Sequence, residues 1–511
     1  MFLQNTSDMS ESQKLTGSDA RRAARNVSAL VVASVISKGA LFVWQLVLFA
    51  WLGAHDYGIY GTVGGLMVIA GSVTSFSMSL IVIRDVAREP DKAGSYWSAM
   101  VFWQTALALI AYVGINSFSV VYDDALRGFV ALAGLNLFVD LFGNIGYDLL
   151  LAREEMLKTS LVEIAHILLR IGLAVLALVS GWGLLGIYGA AIASGLLRSL
   201  VLAGLNLRDG LRPTFPIDRG ISKPLLVNSV PLAASAFLTL AYQHTDKLMT
   251  TGILGVEGTG YLTVAFVINF GVIELFSTTV LVAAYPLLSR YHGEGKNPIF
   301  GFLIEKLTLY MVVIGLPTAL FVSLLASDAI SSFFGEQNAV TAGILSILIW
   351  YTALTMIGNV FSKAMLIQNR QRLLLAFRAL GLGLNIALNT ILLTGWGDPR
   401  GAAIASVISE SLVLILLFSS FSSVGFQWRR IANSVVRLLL IAAPVALLTI
   451  GIRSFHFMPA LLIGLIVYTL SMHLARVFNS EDMDLLYRLV AALPGGSLVT
   501  RFWKRDVELS W

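Results

Sequence analysis

Apolar stretches of about 20 residues follow one another almost from end to end of this chain, and each is long enough to cross ~30 Å of hydrocarbon as a helix. Backbone N–H and C=O groups in lipid must be satisfied inside the spanning structure, so only helices and closed barrels qualify. A barrel strand reads as a short alternating segment of about ten residues. These stretches are continuous and rich in Leu, Ala, Val and Ile, which predicts an all-α integral membrane protein. Composition agrees: 57% of the 511 residues are hydrophobic and 13% are charged, about half the charged share of a soluble domain. Such a chain cannot clothe a globule in polar side chains.

Setting apolar runs against loop signals predicts about fourteen helices. Six lie near 27–50, 58–83, 96–118, 126–150, 159–179 and 186–207; six more near 224–252, 259–288, 300–325, 339–366, 372–393 and 401–421; a final pair near 433–452 and 459–477. One set of loops carries most of the basic residues, among them Arg84, Arg88, Lys92, Arg153, Lys158, Arg208, Arg212, Arg219, Lys223, Arg290, Lys296, Arg370, Arg372, Arg429 and Arg430. The opposite set contributes Arg127, Arg400 and Arg453. The asymmetry places both termini in the cytoplasm. Residues 1–25, polar and ending in Arg21, Arg22 and Arg25 without a small-residue cleavage pattern, read as an uncleaved cytoplasmic tail, and 478–511 as a second one. The outer loops are short, at 54–57, 180–183, 254–258 and 394–399, which argues against an extracytoplasmic domain. The formal charge of +5 resides in these topological loops, so nucleic acid is not an expected partner. Cysteine is absent, which excludes disulfides, thiolate metal sites and Cys nucleophiles; no cofactor and no metal site is expected.

The hexapeptide GAAIAS occurs at 189–194 and again at 401–406, each time after a Gly-Trp-Gly turn, at Gly181, Trp182, Gly183 and at Gly395, Trp396, Gly397. A second echo opens each half: Leu52, Gly53 and Gly58 recur as Leu254, Gly255 and Gly260, and Asn26 as Asn228. Offsets of 202 to 214 residues match duplication of a six-helix unit. Six is even, so both copies enter the membrane in the same direction, as parallel repeats about an axis along the membrane normal. The expected organisation is a six-helix lobe at 26–207, a cytoplasmic linker at 208–223 with Pro213 and Pro216, a second lobe at 224–421 and an extra helix pair at 433–477. Two lobes imply a cleft suited to alternating access. The small residues themselves are read as packing devices that let backbones approach.

The sequence LGAHDYGIYG at 52–61, followed by a second helix and the basic loop at 84–92, resembles the start of a polysaccharide flippase of the multidrug/oligosaccharidyl-lipid/polysaccharide exporter superfamily. The second half is similar too, with Pro231, Asp246 and Lys247, the Gly-rich turn at 255–260, and Tyr285 with Pro286. The resemblance covers nearly the whole chain through degenerate motifs. It implies two six-helix bundles plus a terminal pair, moving a lipid-linked oligosaccharide across a bacterial inner membrane for polysaccharide synthesis, with a polysaccharide polymerase as a partner.

An ionisable residue at a helix centre costs something like 2.5 to 3.5 kcal/mol to insert, so such residues usually face a polar cavity or a partner. The predicted spans hold Lys38, Asp140, Glu163, His166, Arg170 and Arg198 in the first half, and His244, Asp246, Lys247, Glu274 and Glu410 in the second, with Lys363 near an end. Glu163, His166 and Arg170 share one face of the fifth helix; the plain reading is an intrahelical ion-pair ladder, the functional one a cavity lining. The 212-residue offset sets Arg198 opposite Glu410, either a salt bridge that closes a gate or an anion-binding lobe facing a coupling lobe. Lys38, Arg170, Arg198 and, less directly, His166 are the candidates for a diphosphate, because guanidinium and ammonium groups in a low-dielectric cleft bind phosphate strongly. Asp246, Glu274, Glu410, Asp140 and Glu163 are the candidates for gating or for coupling to H+ or Na+. No catalytic residue is expected. A drug/cation antiporter of the same superfamily is the nearest alternative; a membrane enzyme of glycan assembly, polymerase or ligase, is a second, disfavoured by the short outer loops. The chain has no Gly-rich Lys motif for nucleotide, which disfavours direct ATP drive.

Overall fold

The computed structural model describes residues 17–453 and 457–474; residues 1–16 of the expected N-terminal tail, and the C-terminal tail, lie outside them. The described residues are helical throughout, as the continuous apolar runs require, and every expected helix is present. In chain order they are α1 (Gly17–Ser75), α2 (Met78–Arg88), α3 (Ala93–Phe118), α4 (Asp124–Ala152), α5 (Met156–Val179), α6 (Gly183–Arg208), α7 (Arg219–Leu254), α8 (Val256–Val272), α9 (Thr279–Gly293), α10 (Asn297–Phe334), α11 (Ala339–Ile367), α12 (Gln371–Trp396), α13 (Arg400–Ser420), α14 (Trp428–Arg453) and α15 (Phe457–Leu474). Among the described residues, thirteen stretches are long and apolar enough to cross a membrane. The first, Ile36–Arg88, has 53 residues, or about 80 Å of helix; it therefore holds two crossings, bent at Gly53.

Several boundaries differ from expectation, α1 and α2 dividing at 76–77 rather than at 51–57 among them, and two differ for clear reasons. The eighth predicted helix is α8 and α9 joined through a π turn at Ile273–Thr278, a wider winding that places Glu274 inside the irregular stretch. Helix α10 extends past residue 325 to Phe334; its polar end is held by the last residue of α14, with Arg453 Nε 3.0 Å from Asp328 Oδ2.

The chain forms two compact units. Of the described residues, the first comprises 17–41, 75–107 and 135–230; the second 42–74, 108–134, 231–453 and 457–474. In the first, α5 packs along α6, and their ends are tied by Lys158, whose Nζ donates to Asp209 Oδ2 at 2.8 Å; that hydrogen bond holds the Asp209 carboxyl below the usual carboxylate range.

In the second unit α11 packs against α8, α10 and α13. The terminal pair is bound to α10 through Leu309, Val312 and Phe321 against Leu438, Val445 and Tyr468. The connection preceding it is equally fixed: Glu305, 2% exposed, accepts from the Gln427 backbone N–H at 2.8 Å and pairs with Arg430 at 3.2 Å. Phe418, Phe421, Phe426 and Trp428 surround Phe361 on the same end.

The duplicated turns meet one another within the second unit. Gly53 (φ 73°, ψ 176°) and Gly255 (φ 84°) take the same backbone geometry, which side chains disfavour. A Cβ on Gly58 would collide with the Val256 carbonyl, and one on Gly260 with the Ala54 carbonyl. The two contacts are reciprocal at the 202-residue offset. Beside them Thr62 Oγ1 lies 2.6 Å from Thr251 Oγ1, which lies 2.7 Å from Thr259 Oγ1. Small residues here allow two backbones to cross at contact distance, the means by which membrane helices gain packing energy. Gly58→Ala should therefore lower stability by roughly 1–3 kcal/mol through overpacking, whereas Gly64→Ala, whose methyl would meet nothing within 4 Å, should be neutral or slightly stabilising. Thermal unfolding of both variants in the same detergent checks this; equal midpoints would contradict the steric account.

Candidate functional site

In each unit several ionisable residues within the helices form a cluster. In the first unit, α4, α5 and α6 contribute. Arg198 of α6, 8% exposed, donates from Nε to Glu163 Oε1 at 2.6 Å and from Nη1 to Asn144 Oδ1 at 3.1 Å. The partner of Glu163 is thus on the neighbouring helix. This sets aside the ladder, one of the two readings of α5: Arg170 is two turns, about 10 Å, further on, while the packed face of α6 brings a guanidinium directly alongside. Among the described residues Arg170 has no ion pair within 4.0 Å; it is half-buried and lies within electrostatic range of Asp140 and His166. Asp140 is exposed, with Oδ1 3.6 Å from where a Cβ on Gly195 would stand, so the small residue leaves room beside the acid. His166 is half-buried and its Nδ1 is buried without a hydrogen-bond partner. Lys38 is exposed. The arrangement offers a guanidinium, an imidazole and a carboxyl at membrane depth with donors to spare.

In the second unit two carboxylates are stacked one helical turn apart. Asp246 of α7, 3% exposed, accepts from Asn385 Nδ2 at 2.9 Å and Asn389 Nδ2 at 2.7 Å on Oδ1, and from Ser406 Oγ at 2.6 Å on Oδ2. A turn away, Glu410 of α13 is fully buried and meets Arg378 Nη1 at 3.3 Å and the Tyr242 hydroxyl at 3.1 Å; the Arg378 guanidinium also lies 5.8 Å from the centre of the Tyr242 ring. Tyr242 and Asp246 are i, i+4 on α7, as are Ser406 and Glu410 on α13, so one helix face serves both layers. The two layers differ in kind: Glu410 has a fixed cation, whereas Asp246 is held by neutral donors. Among the described residues no group of three His, Cys, Asp or Glu is placed to hold a metal ion. Lys247 is buried over the Phe266 ring at 5.7 Å, and Lys363 lies over Tyr285 at 5.9 Å. Glu274 is half-buried, and His244 has its Nδ1 buried without a partner.

Arg198 and Glu410, opposed by the repeat, each have an ion-pair partner inside their own unit. Sequence reasoning passed over Arg378, Asn385 and Asn389. The signal was present as the spacing i, i+7, i+11 on one face of α12, but two of the three are uncharged. A recess of about 490 Å³ in the second unit is wholly apolar where Leu46, Val47, Phe321, Phe333 and Phe457 line it.

Ion-paired and amide-held charges buried among helices long and apolar enough to cross a bilayer define a multi-pass membrane protein. A family model described as polysaccharide biosynthesis protein matches residues 23–292, more than half of the chain, and the chain belongs to that family. A second model, MatE, matches residues 231–391. Among solved structures, the lipid II flippase MurJ in an inward closed conformation is similar over 89% of this chain and 99% of its own, with a TM-score of 0.70 and 15% identity. An inward-facing multidrug resistance MATE family transporter of the MOP superfamily is similar over 80% of this chain and 98% of its own, with a TM-score of 0.58 and 18% identity. These likenesses show a shared fold. No curated protein matches the chain.

The Arg378–Glu410 pair gives a stability test. Removing one member leaves a buried charge alone, at a cost of roughly 3–5 kcal/mol, whereas removing both does not. Arg378→Gln should unfold well below the parent, and the double variant Arg378→Gln/Glu410→Gln should recover most of the loss. A double variant no more stable than Arg378→Gln would contradict the pairing.

Proposed function

We propose that this protein moves a lipid-linked oligosaccharide, carried on a polyprenyl diphosphate, outward across a bacterial inner membrane by alternating access between two six-helix lobes, with both termini in the cytoplasm. Membership of the polysaccharide biosynthesis family supports the substrate class. The observation that carries the reading to a residue is Arg170, a half-buried guanidinium at the centre of α5 with no ion pair among the described residues. A guanidinium left open at membrane depth is fitted to two phosphate oxygens through paired donors. Arg198 is already committed to Glu163 and Asn144, and acts here as the support that positions the cluster. The apolar recess of the second unit suits a hydrocarbon chain, which needs no polar path.

The energetics favour the outward direction. A diphosphate carries about two negative charges, and an inside-negative potential contributes roughly 2.3 kcal/mol per charge per 100 mV to their export. The transporter then has chiefly to lower the barrier for the sugar headgroup. Coupling to H+ or Na+ through Asp246 would serve to reset the empty carrier.

A second reading, a drug/cation antiporter, is favoured by the MatE match and by Asp246, a buried acid whose partners are neutral. The two readings part at Arg170. Arg170→Gln should abolish glycan export at matched membrane abundance, and Arg170→Lys should retain part of it, keeping charge but losing the fork geometry. Export measured on cells carrying each variant decides: normal export by Arg170→Gln would remove the phosphate role, and exchange of organic cations by the purified protein would favour the antiporter.

A further inference from the structure

Helix α4 carries Asn136, Asp140, Asn144 and Asp148 at an unbroken spacing of four residues. At 1.5 Å per residue the ladder is about 18 Å long, more than half the hydrocarbon thickness, and all four side chains share one face. The two central members face the Arg198 cluster, and the two acids among the four differ in their surroundings. Asn144 accepts from Arg198, and Asp140 lies in the fields of Arg170 and Arg198. Asn136 stands beside Gly195, 3.9 Å from where its Cβ would be.

Asp148 is the member without a task. It is 6% exposed, and its Oδ2 is buried with no hydrogen-bond partner. The groups that face it are few. From α2 comes the Ser79 hydroxyl, which hydrogen-bonds the carboxyl but leaves Oδ2 bare; from α6, Arg198, which is already bonded to Glu163 and Asn144; on α4 itself, the neighbouring Tyr147. Thus Glu163 is neutralised by a direct ion pair and Asp148 is not. It also sits one turn from the end of α4 at Ala152, beyond which Glu154 is exposed to water.

We propose that Asp148 is a proton-exchange site of the first unit, loading a proton from the adjoining aqueous phase onto Oδ2 and returning it there. A carboxylate oxygen buried without a donor is costly, and a proton from water removes the cost by taking the carboxyl from −1 to 0. Asn144 lies between the two acids and already holds Arg198, so the guanidinium senses the charge state at both ends. Asp246 of the second unit differs in having three donors on its carboxylate; the site at Asp148 is separate from it and has a different ligand set. The proposal deepens the transporter reading, on which it rests for what the proton does but not for whether the proton binds.

The test is infrared difference spectroscopy of the purified full chain in lipid nanodiscs, titrated with acid and base in water and in heavy water. The carbonyl band of a protonated carboxyl should appear on acidification. Asp148→Asn should lose the contribution of one carboxyl while eluting as a single folded species, and Asp148→Glu should shift that band rather than remove it. Identical titrations for the parent and Asp148→Asn would overturn the site. Glycan export by the parent chain, measured in parallel, separates the two ideas: failure of export removes the transporter reading and leaves the infrared result to decide the proton site.

Discussion

A charge inside a bilayer must be given a partner or a ring of donors, and the interior of this protein is organised by how it meets that demand. Arg198 joins α6 to α5 through Glu163 and to α4 through Asn144. Arg378 joins α12 to α13 through Glu410, and Tyr242 brings in α7. Asp246 joins α7 to α12 and α13 without any cation, through Asn385, Asn389 and Ser406. Each cluster fixes the rotation of three helices at once, because a turned helix would strand a charge at a cost of several kcal/mol. The proposed anion and proton roles rest on two exceptions among the described residues, Arg170 without an ion pair and Asp148 with a bare, buried Oδ2.

Packing between helices follows a second rule. Lipid tails are as apolar as Leu, so helices gain little by hiding hydrophobic surface and much by close approach. The reciprocal crossing of Gly58 and Gly260 over the carbonyls of Val256 and Ala54 is the clearest case. It also gives the internal repeat a physical meaning: the duplicated turns persist in similar form because each is the other's surface.

The helices were legible in the sequence because one requirement, about 20 apolar residues per crossing, acts on every span. The limits of α10 were less so, since its last turns are polar and depend on Arg453 of a distant helix. The π turn at Ile273–Thr278 has no simple composition signal. The clusters were half legible. Charge alone marked Arg198, Glu163, Asp246 and Glu410, but periodicity relates residues of one helix only, so it paired Glu163 with Arg170 where packing supplies Arg198. Asn385 and Asn389 went unmarked because an amide in a membrane helix carries no charge to draw attention. Asp148 lies within the predicted span at 126–150, but sequence reasoning passed over it.

The central claim is that the chain carries a lipid-linked glycan, and it is tested most directly by purified protein in sealed vesicles containing a labelled polyprenyl-diphosphate oligosaccharide, with access to the label probed from one side. The account predicts that the protein makes the inner-leaflet label accessible and that an inside-negative potential biases its movement outward. Vesicles that move the glycan no faster than protein-free controls, while exchanging organic cations for protons, would contradict it.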